Sequence, residues 1–150
     1  MEFSGAKLAL FLGDDLLVLR RDDRPDIPYP NHWDLPGGGR EGEESPKDCA
    51  LRETYEETGL TLQSEDLVWT ASYLRPVRGR VWFFAAHLPA ERQAEIVFGS
   101  EGQGWTLMSP EAYCAHDLAV PHFVEQIRIY LDWLKSGEKQ QSDAGGERKE

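Results

Sequence analysis

The chain has 150 residues, 40% hydrophobic, 11% aromatic and 29% charged, which supplies one packed core and leaves little room for a second domain. Its formal net charge is -11, from 27 acidic and 16 basic residues, a balance that does not suit a duplex nucleic-acid partner because such a partner needs clustered Lys and Arg. An anionic small-molecule ligand would need a bound cation to offset the repulsion.

Cys49 and Cys114 form no metal-ligand spacing. No run approaches the roughly 20 apolar residues of a membrane span, so no membrane partner is expected. The start, Met1-Glu2-Phe3-Ser4-Gly5, lacks the basic-then-apolar order of a signal peptide, and a cytoplasmic location is the resulting expectation.

In chain order, Ala6 to Leu12 reads as a strand, Gly13-Asp14-Asp15 as a turn, and Leu16 to Leu19 as the returning strand. Pro25, Pro28 and Pro30 make Arg21 to His32 a loop. Trp33 to Leu35 reads as a short strand leading into Pro36 and a Gly37-Gly38-Gly39 loop. Ser45 to Gly59 carries helix punctuation: Ser45 as N-cap, Pro46 at the first helical position, Asp48 completing a capping box and Gly59 ending the helix. Leu51, Thr54, Tyr55 and Thr58 are expected to face the core, with the acidic side opposite. Strands follow at Leu67 to Leu74, Val81 to Leu88 and Trp105 to Met108, the first two joined by the turn Pro76-Val77-Arg78-Gly79. Phe123, Ile127, Tyr130, Leu131 and Leu134 recur at helical spacing and predict a second helix from about Pro121 to Lys135. The domain is expected to span residues 1–135, with 136–150 a disordered polar tail. These elements suggest an α+β or layered α/β/α domain, and periodicity alone leaves the topology open.

Glu53, Glu56 and Glu57 fall at i, i+3 and i+4 on one helical face, where like charges repel by a few tenths of a kcal/mol per pair. Arg52 offsets part of this by its i, i+4 spacing to Glu56. An acidic helix face taken alone is more often a solvated surface. A hard divalent cation, however, would turn the repulsion into ligation. The side-chain-free backbone of Gly37 to Gly39 can approach a metal or phosphate closely.

The spacing Gly38-x5-Glu44-x7-Arg52-Glu53-Thr54-Tyr55-Glu56-Glu57-Thr58-Gly59-Leu60 resembles the Nudix box, G-x5-E-x7-R-E-U-x-E-E-x-G-U, where U is bulky and apolar. Of its nine fixed positions over 23 residues, eight match. The departure is Thr54, on the side expected to be buried, where it bears on packing and not on the acidic face.

This resemblance implies a Nudix-type α/β/α sandwich with a mixed β-sheet and a loop-helix-loop catalytic motif. It implies Mg²⁺, with Mn²⁺ as a substitute, held by Glu53 and Glu57, with Glu56 a ligand or nearby base and the Gly37 or Gly38 carbonyl completing the set. Arg52 and Glu44 would orient the motif. The implied reaction is hydrolysis of a diphosphate bond in a nucleoside diphosphate linked to another moiety.

A weaker resemblance, to MutT-type members, rests on Glu101-Gly102-Gln103. It makes Glu101 a late metal ligand or general base, and it makes Arg20 and Arg21 phosphate contacts. A (d)NTP or oxidised dGTP, giving NMP and pyrophosphate, is then the first expectation. ADP-ribose, nucleotide sugars and diadenosine polyphosphates are the alternatives, and a non-catalytic nucleotide-binding module is the alternative from another class. His122 and Phe123 stand where related enzymes contact the base, although helix start and core packing explain them more simply. His32, near the glycines, is a candidate for stacking or phosphate contact. The implied partner is a small nucleotide-like molecule, and a homodimer stays open.

Overall fold

The structure, a computed structural model, describes residues 2–144. Its elements are β1 (Gly5–Leu12), β2 (Asp15–Arg20), β3 (Trp33–Asp34), β4 (Gly37–Gly39), α1 (Pro46–Thr58), β5 (Leu67–Arg75), β6 (Gly79–Leu88), β7 (Gly104–Met108), α2 (Pro110–Cys114) and α3 (Pro121–Ala144). Short 3₁₀ helices lie at Ser64–Asp66, before β5, and Ala90–Glu95, after β6.

The sheet runs β3-β2-β1-β6-β5, with β4 also paired to β1 and β7 to β2. It is mixed: β1 and β6 are parallel along their shared length, Gly5 opposite Val81 through Leu12 opposite Leu88, and the other pairs are antiparallel. The central strand β1 is apolar at nearly every position because both of its faces are covered. Leu8, Leu10 and Leu12 pack with Cys49 and Ala50 of α1, and Ala9 and Phe11 pack with Tyr113 of α2 and Ile127 and Tyr130 of α3. Residues of alternating parity thus build two cores, one per face, and the result is the expected α/β/α sandwich.

The triple glycine differs from expectation. It is a strand, β4, pairing Gly5 with Gly39, Ala6 with Gly38 and Lys7 with Gly37. The close fit explains the composition: a Cβ at Gly37 would lie 2.2 Å from the Ala6 carbonyl oxygen, and one at Gly38 would lie 2.6 Å from the Glu53 carboxyl. β1 pairs with β4 at Gly5 to Lys7 and with β2 at Phe11 and Leu12, so the sheet divides along β1 and opens at the glycine end.

In α1, Ser45 Oγ accepts from the Asp48 N–H at 3.1 Å, the Ser45 half of the expected capping box. Gly59 closes the helix at φ 76, its N–H bonded to the Tyr55 carbonyl at 2.8 Å. Thr54 and Thr58 are buried as expected, with Cys49 and Ala50, but Tyr55 is 59% exposed. At about 100° per residue Tyr55 lies well round the helix from the stripe of Ala50, Thr54 and Thr58, and Glu53 and Glu57 border that stripe instead of opposing it.

The short helix α2 was not foreseen. Ser109 caps it, accepting from the Ala112 N–H at 3.0 Å, and the buried Tyr113 donates its hydroxyl to the Trp33 carbonyl at 2.9 Å. Helix α3 continues past the expected end at Lys135 to Ala144. No proline interrupts it, and Glu138, Lys139, Gln140 and Gln141 are good helix formers. The remainder of the expected tail, 145–150, lies outside the described residues. Among the described residues no helix is long and apolar enough to cross a membrane.

The turn between β5 and β6 holds Val77 at φ 71, a conformation that β-branched residues rarely adopt. Its side chain is fully exposed, so the turn gains nothing from burying it. Val77→Gly should stabilise the protein by about 0.5–1 kcal/mol, the left-handed penalty less glycine's entropy, read as a higher midpoint in thermal unfolding.

Candidate functional site

Arg52 is the hub of the site. Its Nε and Nη2 donate to the two Glu44 carboxylate oxygens at 3.0 and 2.8 Å, a bidentate pair, and Nη2 also donates to the Gly39 carbonyl at 2.9 Å. Its Nη1 donates to Glu53 at 3.1 Å and to Glu56 at 3.2 Å. One guanidinium therefore ties α1 to β4 and to the loop that carries Glu44. Glu44 is held down to about 2 by the Arg52 hydrogen bonds, with the Glu41 N–H bonding it at 2.8 Å.

Glu57 reaches the glycine strand from α1, its Oε1 accepting from the Gly37 N–H at 2.9 Å. Burial pushes its carboxyl up to about 7 against the opposing pull of Lys7 and the Gly37 hydrogen bond. Glu53, half-buried, is raised in the same sense by burial. Cys49 lies beneath these groups with its thiol pushed up to about 12 by burial, which makes it inert packing and no nucleophile.

Glu53, Glu57 and Glu101 line one cavity of about 460 Å³ at the open end of the sheet. Gly37 and Gly38 line it as well, as do His122 and Phe123 from the start of α3. Phe123 is 5% exposed and belongs to the α3-side core, so it forms cavity wall and core together. The Gly37 carbonyl accepts from Lys7 Nζ at 3.0 Å, and the Gly38 carbonyl from the Cys49 thiol at 3.5 Å.

The remaining expected residues sit differently. The Glu56 side chain is 54% exposed and pairs with Arg52 outside the cavity lining. Arg21 lines the cavity and a second cleft of about 420 Å³ beside it, bonded to Asp34 at 2.8 Å. Arg20 lines the second cleft alone, bonded to Asn31 at 3.0 Å and stacked 5.2 Å over the Trp33 ring. His32 lines neither space; its Nδ1 lies 2.8 Å from the Pro30 carbonyl oxygen and its ring meets Tyr29 edge-on. Gln103, next to Glu101, fastens its loop by donating to the Arg21 carbonyl at 2.7 Å and to Asn31 at 2.8 Å.

The structure adds residues that motif reading missed. Lys7 is the strongest: its ammonium bonds Asp34 at 3.1 Å and the Leu35 and Gly37 carbonyls at 3.1 and 3.0 Å. A lysine inside the apolar run Ala6 to Leu12 was the available signal. Tyr29, Tyr73, Arg75 and Arg78 also line the cavity, brought there by the long loop and the β5–β6 turn, and no local pattern announces them.

Among the described residues no three His, Cys, Asp or Glu side chains converge as a ready-made metal cage. The donors present still suit a hard divalent ion, which commonly keeps several waters and substrate phosphates and takes only one or two carboxylates. Glu57 supplies the fitting observation: a largely buried carboxylate with one backbone hydrogen bond, raised by burial, whose charged form a cation would favour.

The Glu44–Arg52 pair makes a pH prediction. Because the folded-state value of Glu44 is depressed from 4.5 to about 2, its contribution is complete above pH 4.5 and is lost as pH falls toward 2. Glu44→Gln should cost about 1–3 kcal/mol at pH 7, and the gap to the unsubstituted protein should close between pH 4.5 and 2 in denaturant titrations. A gap independent of pH would mean that Glu44 acts through shape and not charge.

The NUDIX domain family model matches residues 4–133. Over 32 residues the chain is 56% identical to diphosphoinositol polyphosphate phosphohydrolase 3-alpha of Mus musculus, covering 21% of this chain and 20% of that protein. The match thus spans about a fifth of the length of that curated relative. Among solved structures, a C. elegans Ap4A hydrolase has a TM-score of 0.69 at 23% identity, covering 88% of this chain and 98% of that one. A MutT protein from Methanosarcina mazei Go1 has a TM-score of 0.68 at 20% identity, covering 90% and 99%. At those identities the likeness shows the fold.

Proposed function

The chain belongs to the NUDIX domain family, and from that premise we propose that it hydrolyses a diphosphate bond in a nucleotide-like small molecule with the help of Mg²⁺, for which Mn²⁺ can substitute. The observation that carries this reading is the convergence of Glu53, Glu57 and Glu101 on one cavity that Gly37 and Gly38 also line.

Glu53 and Glu57 would hold the cation, with Glu101 completing the set or taking the proton of the attacking water. A bound divalent ion would neutralise charge on the phosphoryl oxygens and lower the pKa of that water. The chain's own groups prepare the ground. Arg52, through Glu44 and the Gly39 carbonyl, fixes α1 against β4, so that Glu53 and Glu57 are presented without reorganisation. Lys7 holds the Gly37 carbonyl and Asp34 in place, and Arg21, bound to Asp34, stands where it can contact a phosphate oxygen.

The substrate candidates are (d)NTPs including oxidised dGTP, ADP-ribose, nucleotide sugars and diadenosine polyphosphates. The Glu101-Gly102-Gln103 loop, which turns Glu101 toward the cavity while Gln103 anchors it, puts the triphosphates first on the panel. Incubation of each with Mg²⁺ or with EDTA, followed by chromatography, should show cation-dependent cleavage of one class. Nucleotide binding without such turnover would replace the hydrolase by a binding module.

Glu57→Gln should lower turnover by more than about 100-fold, the upper end of what loss of a partner one layer further from a metal costs. Folding should survive, because the substitution removes a strained buried charge. A variant with near-normal turnover would remove Glu57 from the site.

A further inference from the structure

Four cationic side chains line the cavity, and they divide into two kinds. Lys7 and Arg21 are both paired with Asp34, at 3.1 and 2.8 Å. Arg75 and Arg78 have no carboxylate partner among the described residues, in a chain with 27 acidic residues to draw on. Arg75 ends β5 on the same face as Tyr73, and its Nη1 donates to the His122 ring. Arg78 lies in the following turn with an exposed side chain. The ring of His122 meets Tyr29 at 5.7 Å and Tyr73 at 5.9 Å, so Arg75 is backed by an aromatic wall.

The field at this wall is positive. Burial, followed by the charges of Arg75, Lys7 and Arg78, brings His122 down to about 4, with Asp34 the opposing charge. His122 is therefore a neutral acceptor at physiological pH and satisfies a hydrogen of Arg75 without cancelling its charge. Two uncompensated guanidinium groups on a cavity wall are suited to an anion, and their planar forks favour phosphate.

This wall is not the one that carries the glutamates. Gly37 to Gly39 form β4, and from β4 the sheet passes through β1 and β6 to β5, where Arg75 stands. Three strand spacings set the backbones of β4 and β5 ~14 Å apart, and the two arginine side chains reach back from β5 and its turn into the cavity that both walls share. An anion at Arg75 and Arg78 would thus be a second phosphate contact in the same cavity, apart from the diphosphate at Glu53 and Glu57.

We propose that Arg75 and Arg78, backed by His122, form a second anion subsite that holds a phosphate of the substrate other than the diphosphate at Glu53 and Glu57. The inference rests on the hydrolase reading for the word substrate, but the subsite itself does not.

The test separates the two claims. In EDTA, with cation-assisted binding at the glutamates removed, inorganic tripolyphosphate is titrated calorimetrically into the whole protein. The native chain should bind it saturably, and Arg75→Gln/Arg78→Gln should weaken binding tenfold or more with an unchanged thermal midpoint. Arg78→Gln alone, whose side chain makes no hydrogen bond among the described residues, should weaken it severalfold, and Arg78→Lys should restore part of the loss. Under Mg²⁺, the same glutamine variants should raise KM tenfold for the cleaved substrate and leave kcat within twofold. Native-like anion binding by the double variant would overturn the subsite and shift attention to Arg20 and Arg24 in the neighbouring cleft. Failure of the native chain to bind tripolyphosphate would overturn it equally. Absence of turnover with every panel member, alongside arginine-dependent anion binding, would remove the hydrolase and keep the subsite.

Discussion

The constraint on which the site depends is the closure of α1 onto a strand made of three glycines. Packing a helix on a sheet edge normally leaves a layer of side chains between the two backbones, about 10 Å thick between axes. Here the layer is absent at Gly37 and Gly38, and carboxylates from the helix touch the strand backbone. That approach would be electrostatically unfavourable by itself, since it brings acidic side chains toward carbonyl oxygens. Arg52 resolves it by donating to Glu44, Glu53, Glu56 and the Gly39 carbonyl from one guanidinium. A lysine could not span these partners, because the task needs several donors in a fixed plane.

The rest of the fold makes room for that contact. The apolar strand β1 is central, covered by α1 on one face and by α2 and α3 on the other, and its edge is shared by β2 at one end and β4 at the other. The division of the sheet creates the cavity. Lys7 is the one charged residue of β1, and it occupies the point where the division begins, bonding Asp34 and the carbonyls of Leu35 and Gly37. Carboxylates on one side and an arginine-bearing turn on the other therefore face a common space, although they lie on elements far apart in the chain.

The site also shows how one kind of charge is used in three ways. Glu44 is fully compensated and works as a fastener. Glu57 accepts a single backbone hydrogen bond, and burial raises its carboxyl. Glu56 is exposed and shares Arg52 from outside the cavity. These differences follow from position on the helix: Glu57 borders the buried stripe of Ala50, Thr54 and Thr58, and Glu56 is turned a further 100° toward water.

What the sequence determined by itself was most of what is periodic or strongly punctuated. The strands β1, β2, β3, β5, β6 and β7 followed from apolar alternation and turn residues, and α1 was bounded by Ser45, Pro46 and Gly59. The box spacing named the family because Arg52, Glu53, Glu56 and Glu57 interact within two turns of one helix, at fixed offsets. Tertiary structure decided what depends on partners distant in the chain. It made the triple glycine a strand by pairing it with β1, turned Tyr55 to solvent, and added α2 and the extension of α3. It also separated Arg20 from Arg21, set His32 aside, and brought Lys7, Arg75 and Arg78 to the cavity. Those placements are set by sheet order and by which groups lose water together, and neither has a periodicity that a single chain can display.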